Sequence, residues 1–179
     1  PLVDSRGARL PRGAPLPEPL LSVSAVCALA NHARLRCTPA GWSHAGDPTE
    51  AALRVLAEKL GAGEFVPRAD ADAPERGSEH WAAAFPRLAT LEFSRERKSS
   101  SVLCRAAADG GGLATAESAD GGPSCSLFVK GAPETLLPRC AAAMLSGGHV
   151  VALTPAMRAR LTDTIAGLAG GEHALRCLV

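Results

Sequence analysis

Between Leu88 and Val102 the chain changes character twice, and both changes limit what it can fold into. Apolar Leu91 and Phe93 alternate with polar Thr90 and Glu92, which reads as the end of a half-buried β-strand. Phe93-Ser94-Arg95-Glu96-Arg97-Lys98 then brings an aromatic and three cations in four positions, and Ser99-Ser100-Ser101-Val102 opens a second strand. A core strand has no use for that charge. A pocket for a flat, anionic ligand does, because an aromatic face stacks on the ring and fixed positive charge meets the phosphates. The same residues also suit a hairpin that runs onto a solvated basic edge and so discourages pairing with other sheets.

Composition narrows the choice. A formal net charge of +1 excludes wholesale nucleic-acid binding, so any cationic function is local. Aromatics make up 3% of the residues and Tyr is absent, which leaves Phe93 as one of few platforms on which a base could stack. At 179 residues the chain is long enough for one domain with a real core, or for a piece of a larger protein. Six cysteines are scattered without a C-x-x-C pair, so neither zinc spacing nor a disulfide framework is visible and a reduced, cytosolic setting is the simpler reading. The apolar run from Leu20 to Ala30 is broken by Ser22 and Ser24 and falls short of the ~20 residues a membrane span needs. No signal peptide is evident, and the chain begins at Pro1 rather than Met, as an excised piece does.

Taken in order, residues 1–19 are Pro- and Gly-rich and read as loop, and residues 20–179 as the domain proper. From about Leu20 to Ala33 the residues Leu21, Ala25, Ala28, Leu29 and His32 recur at helical spacing, an amphipathic helix with Cys27 in its core and His32 a helix-end residue and not a metal ligand, since no Cys or His follows at i+3 or i+4. Gly46-Asp47-Pro48-Thr49-Glu50 is the best helix start. Asp47 can cap, Pro48 suits the first turn, and Glu50 can reach back as in a capping box or, beside a pocket, accept from the exocyclic amine of a base. Leu53, Leu56 and Leu60 then form the buried stripe, and Gly61 ends the helix. Gly63 to Ser78 reads as surface loop, Glu79 to Pro86 as a short helix with Trp81 and Phe85 inward, and Ala106 to Ser124 as a long Gly-rich connection.

A third strand from Cys125 to Val129 runs into Lys130-Gly131-Ala132-Pro133-Glu134, where Gly131 and Ala132 remove bulk that would hold a ligand away. His149 to Leu153 suits a strand, Thr154-Pro155 opens a helix with Met157, Leu161, Ile165 and Leu168 on one face, and Ala174 to Val179 is strand-like with a single cation, Arg176. The fold class is α/β in the α+β sense, an antiparallel sheet flanked by helices. There is no G-x-x-x-x-G-K-[ST], no G-x-G-x-x-G between strand and helix and no G-x-S-x-G elbow, so a nucleotide here is gripped by side chains and presented, not processed.

The ordered set Gly46-Asp47-Pro48-Thr49-Glu50-Ala51-Ala52-Leu53, Phe93 to Ser99, Phe128-Val129-Lys130-Gly131-Ala132-Pro133-Glu134 and Leu175-Arg176-Cys177-Leu178 resembles the nucleotide-binding domain of P-type ATPases. The Phe-Ser-Arg-Glu-Arg-Lys-Ser form is most similar to the sarcoplasmic/endoplasmic reticulum calcium-pump branch, and the likeness runs from about Leu20 to Val179. It implies an ATP site in which Phe93 stacks on adenine and Glu50 meets the ring. Lys98 and Lys130 line it, Gly131 and Ala132 form a wall, Arg95 and Arg176 reach toward the phosphates, and Leu178 closes the apolar side. Ser100 stands where such pumps often carry Met.

The resemblance implies no catalytic residue and no metal ligand in this chain. The family's Asp-Lys-Thr-Gly-Thr motif does not occur in it. Magnesium accompanies ATP with its protein ligands elsewhere, and the partners are the phosphorylation and actuator domains of a parent pump, with no nucleic acid and no direct membrane contact. The domain is then a cytosolic part of an integral membrane protein of the endoplasmic reticulum or a related endomembrane, truncated at both ends and inactive alone, because phosphoryl transfer without an acceptor cannot proceed. Two rivals stand beside this reading: a stand-alone adenine-nucleotide sensor of the same fold, and a small globular protein with a basic surface and no ligand.

Overall fold

Helix α1 (Glu18–Leu29) is apolar nearly all round, and such a helix belongs in an interior. Its Leu21, Ala25, Cys27, Ala28 and Leu29 are buried against α2 (Pro48–Leu60) and α3 (Arg76–Ala84). The computed structural model of the chain describes residues 16–61, 75–107, 113, 124–170 and 175–179. Most of the three segments read as loop from sequence, at the N-terminus, after Gly63 and after Ala106, lies outside the described residues. The remaining elements are β1 (Arg34–Thr38), β2 (Gly41–Ala45), β3 (Arg87–Ser94), β4 (Ser99–Arg105), β5 (Cys125–Gly131), α4 (Pro133–Leu136) with a 3-10 turn (Leu137–Arg139), β6 (Ala142–Met144), β7 (Val150–Ala152) and α5 (Pro155–Gly170).

The described strands pair antiparallel as a β1–β2 hairpin, a β3–β4–β5 sheet and a β6–β7 hairpin. This is the expected class, antiparallel sheet flanked by helices, divided into three sheets. Neither β1–β2 nor β6 was expected. The first had a signal, since Leu35 and Cys37 alternate with Arg34 and Arg36 before Pro39-Ala40-Gly41. Among the described residues no helix is long and apolar enough to cross a membrane.

Polar groups tie the three helices together where shape alone would let them slide. The Ser24 hydroxyl accepts from Trp81 Nε1 at 3.1 Å and donates to the Gly61 carbonyl at 2.6 Å, joining α1, α3 and the end of α2. Trp81 and Phe85 lie fully buried in the same core as Val102 and Cys104, and Phe85 meets Phe128 edge to face at 5.1 Å.

On α2 the buried face departs from the expected leucine stripe. Leu53 and Leu56 are half-buried, whereas Ala51, Arg54, Ala57, Glu58 and Leu60 are buried. Buried charges require partners, and both find them. Arg54 donates to the carbonyls of Ala33 at 3.2 Å and Asn31 at 3.4 Å. Glu58 accepts from the backbone N–H groups of Gly77 and Ser78, each at 2.9 Å, and from the Ser78 hydroxyl. That carboxylate caps α3 from outside, so the helix starts at Arg76 and takes in Gly77 and Ser78, which sequence had assigned to loop.

The β3–β4–β5 register decides which side chains face the helices. Val102 pairs with Phe128 and Ser100 with Lys130, so these share the helix-facing side, while Leu91 opposite Ser101 and Leu127 opposite Leu103 lie on the other. Between the pairs Leu91–Ser101 and Ser94–Ser99, two residues of β3, Glu92 and Phe93, face one of β4, Ser100. This bulge breaks the alternation that would have put Phe93 beside Leu91, on the side away from the helices. Leu91 is 57% exposed and Phe93 63% exposed.

At the far end, α5 opens with Thr154 Oγ1 accepting from the Met157 N–H at 3.2 Å and has no buried residue, so its apolar face does not enter the core. Residues 175–179 form no regular strand. Val179 nevertheless exchanges both backbone hydrogen bonds with Gly131, at 2.9 and 3.0 Å, which draws Arg176, Cys177 and Leu178 alongside the end of β5.

Candidate functional site

A cleft of about 710 Å³ opens where β5 gives way to α4, with the first turn of α2, the β3–β4 turn and residues 176–178 around it. Its size suits a small molecule. Glu50, Phe93, Arg95, Lys98, Lys130, Gly131, Ala132, Arg176 and Leu178 all line it, so the structure brings together every residue that the sequence singled out. Asp47, Thr49, Leu53, Ser100, Pro133, Glu134 and Cys177 line it too and had not been named as site residues. All but Ser100 lie inside the motifs that carry the resemblance, and Ser100 directly follows the Phe93-to-Ser99 motif, so the signal that could have found them was those motifs themselves.

The inner wall is built on one ion pair. Lys130 Nζ lies 2.8 Å from Glu50 Oε1, with only 11% of the lysine side chain exposed. Asp47 caps α2 as expected, accepting from the N–H groups of Thr49 at 2.8 Å and Glu50 at 3.2 Å. Glu50 does not complete a capping box. Its carboxylate turns away, taking the His32 N–H at 3.0 Å as well as Lys130, while Asn31 Nδ2 donates to its carbonyl at 2.8 Å.

Burial pushes the Glu50 carboxyl up, but the bond and charge of Lys130 and the His32 N–H outweigh it and hold the group below its ordinary value of 4.5. On the α1 side, burial pushes the Cys27 thiol up to about 11, only partly opposed by the charge of Lys130. Helix α1 ends at Leu29, short of the expected Ala33, so His32 lies beyond the helix, exposed, with Nδ1 3.9 Å from Glu50 and Nε2 3.4 Å from Arg87 NH1.

The outer rim is cationic. Arg95 is exposed in the β3–β4 turn, and Arg176 NH1 donates to Thr49 Oγ1 at 2.9 Å. Lys98 closes the turn with φ +47°, a left-handed conformation that a side chain tolerates at a cost of about 1–2 kcal/mol. Its N–H meets the Ser94 carbonyl at 2.8 Å, its carbonyl receives the Ala132 N–H at 2.9 Å, and its Nζ lies 3.1 Å from Glu134.

That crossing explains Gly131 differently from the sequence reading. A Cβ there would stand 2.5 Å from the Lys98 carbonyl oxygen and 2.7 Å from Ser99 Cβ, so glycine is required by the chain's own close approach before any ligand is considered. Strand β5 also runs through Lys130 to Gly131, two residues beyond the expected end at Val129.

Chemically the cleft offers an open aromatic face, a fixed donor–acceptor pair on one wall and cations at the mouth. Among the described residues no three His, Cys, Asp or Glu side chains gather in a metal-binding cluster. The arrangement is suited to holding a flat ring with an anionic tail.

Residues 20–179 match the family described as P-type ATPase, cytoplasmic domain N. The chain is 36% identical to calcium-transporting ATPase 3, endoplasmic reticulum-type, of Arabidopsis thaliana, an alignment covering 98% of this chain and 17% of that protein. It is 40% identical to the endoplasmic reticulum calcium ATPase srcA of Aspergillus fumigatus over 67% of this chain and 12% of the relative. With a probable calcium-transporting ATPase of Trypanosoma brucei brucei it shares 33% identity over 93% of this chain and 16% of the relative. The chain thus spans less than a fifth of the length of these relatives. By sequence match along nearly its whole length and by its antiparallel α/β architecture, the chain belongs to the P-type ATPase family, as its cytoplasmic domain N.

Proposed function

We propose that the cleft binds ATP and presents its phosphates to an acceptor aspartate carried elsewhere in a calcium-transporting pump. The observation that carries this reading is the Phe93 ring, turned by the β3 bulge into the same cleft as the Lys130–Glu50 pair and left open for a partner. Adenine stacks on Phe93, Glu50 and Lys130 meet its edge, Leu178 covers the apolar side, and Gly131 and Ala132 supply a low wall. Lys98, Arg95 and Arg176 hold the phosphates by charge. Magnesium arrives with the nucleotide as part of the substrate, and no step is assigned to residues of this chain on its account.

Catalysis by such a domain is positioning. The chain has no Asp-Lys-Thr-Gly-Thr motif, so phosphoryl transfer, calcium movement and contact with phosphorylation and actuator domains belong to the whole pump, seated in the endoplasmic reticulum or a related membrane. Calorimetric titration of the folded chain tests both halves of the reading. Weak binding of ATP and ADP without phosphate release is expected. No heat with either nucleotide removes the site, and magnesium-dependent phosphate release overturns the view that the chain presents ATP without hydrolysing it.

A further inference from the structure

We propose that the Ser100 hydroxyl determines specificity in this cleft by donating a hydrogen bond to a ring nitrogen of the bound purine, an inference that rests on the adenine reading above. Ser100 faces the Glu92–Phe93 bulge on one side and Lys130 on the other, so it lies between the aromatic platform and the ammonium. It is 7% exposed and lines the cleft, and its hydroxyl has no hydrogen-bond partner among the described residues.

Its row continues through Val102 and Cys104 into the hydrophobic core, where a hydrocarbon side chain is the ordinary occupant. A hydroxyl at the head of that row, unpartnered among the described residues and opening into the cleft, is placed to bond whatever fills the cleft in place of water. Ser99 and Ser101 are also buried, but alternation points them to the opposite side of the strand and neither lines the cleft.

The other polar groups of that wall already bond each other, Lys130 to Glu50 at 2.8 Å. The ammonium keeps further N–H groups, and Ser100 adds a neutral O–H donor beside it. A ring lying on Phe93 turns an edge toward β4, and a purine edge carries acceptor nitrogens. A site that hydrogen-bonds its ligand in this way rejects an analogue lacking the atom.

The test titrates the chain and its Ser100→Ala variant by calorimetry with ATP and with 1-deaza-, 3-deaza- and 7-deaza-ATP, each of which replaces one ring nitrogen by CH. Ser100→Ala is expected to weaken ATP about three- to tenfold, the range of a single neutral hydrogen bond. One deaza analogue is expected to bind wild type with a similar loss and to show no further loss in the variant, while Ser100→Thr retains ATP affinity. ATP affinity unchanged in Ser100→Ala, equal losses with all four nucleotides, or a wild type indifferent to all three replacements would each overturn the proposal. The last comparison needs no variant to fold. If wild type binds no ATP at all, the cleft reading fails with it; if it binds ATP and ignores Ser100, only this inference fails.

Discussion

Phe93 offers the sharpest separation of a ligand platform from a core residue. Truncating a fully buried Phe to Ala costs about 3–5 kcal/mol, which is the expectation for Phe85, with 0% of its surface exposed. Phe93 is 63% exposed, so little more than a third of that burial is lost and Phe93→Ala is expected to cost about 1–2 kcal/mol of stability. Affinity for ATP falls further in proportion, by the ~1–3 kcal/mol of a base–aromatic stack, or about five- to 150-fold. Phe93→Leu keeps most of the apolar volume and gives up the flat face, so its stability loss is smaller while most of the affinity loss remains. Urea denaturation and calorimetry on both variants and on Phe85→Ala read the two quantities separately. If Phe93→Leu binds ATP as tightly as wild type while Phe93→Ala destabilises as much as Phe85→Ala, the ring is a core residue and the bulge argument is wrong.

Lys130→Ala is expected to weaken ATP binding more than Lys98→Ala, because Lys130 is held between β4 and Glu50 whereas Lys98 stands in solvent; the reverse order in calorimetry would move the base away from that wall. Lys98→Gly removes the same charge but relieves the φ of +47°, so it is expected to be about 1 kcal/mol more stable than Lys98→Ala in urea, and equal midpoints would show that the turn carries no strain. Since the folded-state pKa of Glu50 is depressed, its carboxylate adds stability that is fully present above about 4.5 and is lost as pH falls through the lower folded value. The stability advantage of wild type over Glu50→Gln is therefore expected to hold from pH 7 to about 5 and shrink below, and an advantage that grows on acidification contradicts the pairing. Iodoacetamide at pH 8 is expected to modify exposed Cys125 well before buried Cys27, whose thiol sits at about 11, and equal rates by mass spectrometry would mean that α1 is not packed as described.

What was legible in sequence was what is decided locally. The start of α2 lies in Asp47 and Pro48 themselves, and the structure uses both. The start of α3 is decided by Glu58, eighteen positions before the helix begins, so no window around Arg76 contains it. Phe93 shows the same division. Alternation assigned it to the face of Leu91, while its setting among cations and the likeness to a family pointed to a pocket; the bulge that reconciles them is a mismatch between two strands and cannot be counted on one. Strand β6 is three residues of Ala142-Ala143-Met144, too short and too uniform to carry a period.

The two ion pairs in the cleft divide its work by their burial. Lys130 and Glu50 are 11% and 21% exposed, a pair in which removing either partner strands the other, so it behaves as part of the wall. Lys98 and Glu134 are 53% and 63% exposed, and solvent screens a pair so open. If the cleft holds ATP as proposed, an arriving phosphate takes Lys98 from Glu134 with little penalty, while the groups assigned to the ring stay fixed. Because the whole chain carries a formal charge of only +1, the attraction for an anionic tail comes from the placement of Arg95, Lys98 and Arg176 at the mouth and is screened by salt. In the proposed reading, recognition of the ring lies behind that mouth, on Phe93 and the pair against it, where shape and hydrogen bonding outlast the screening.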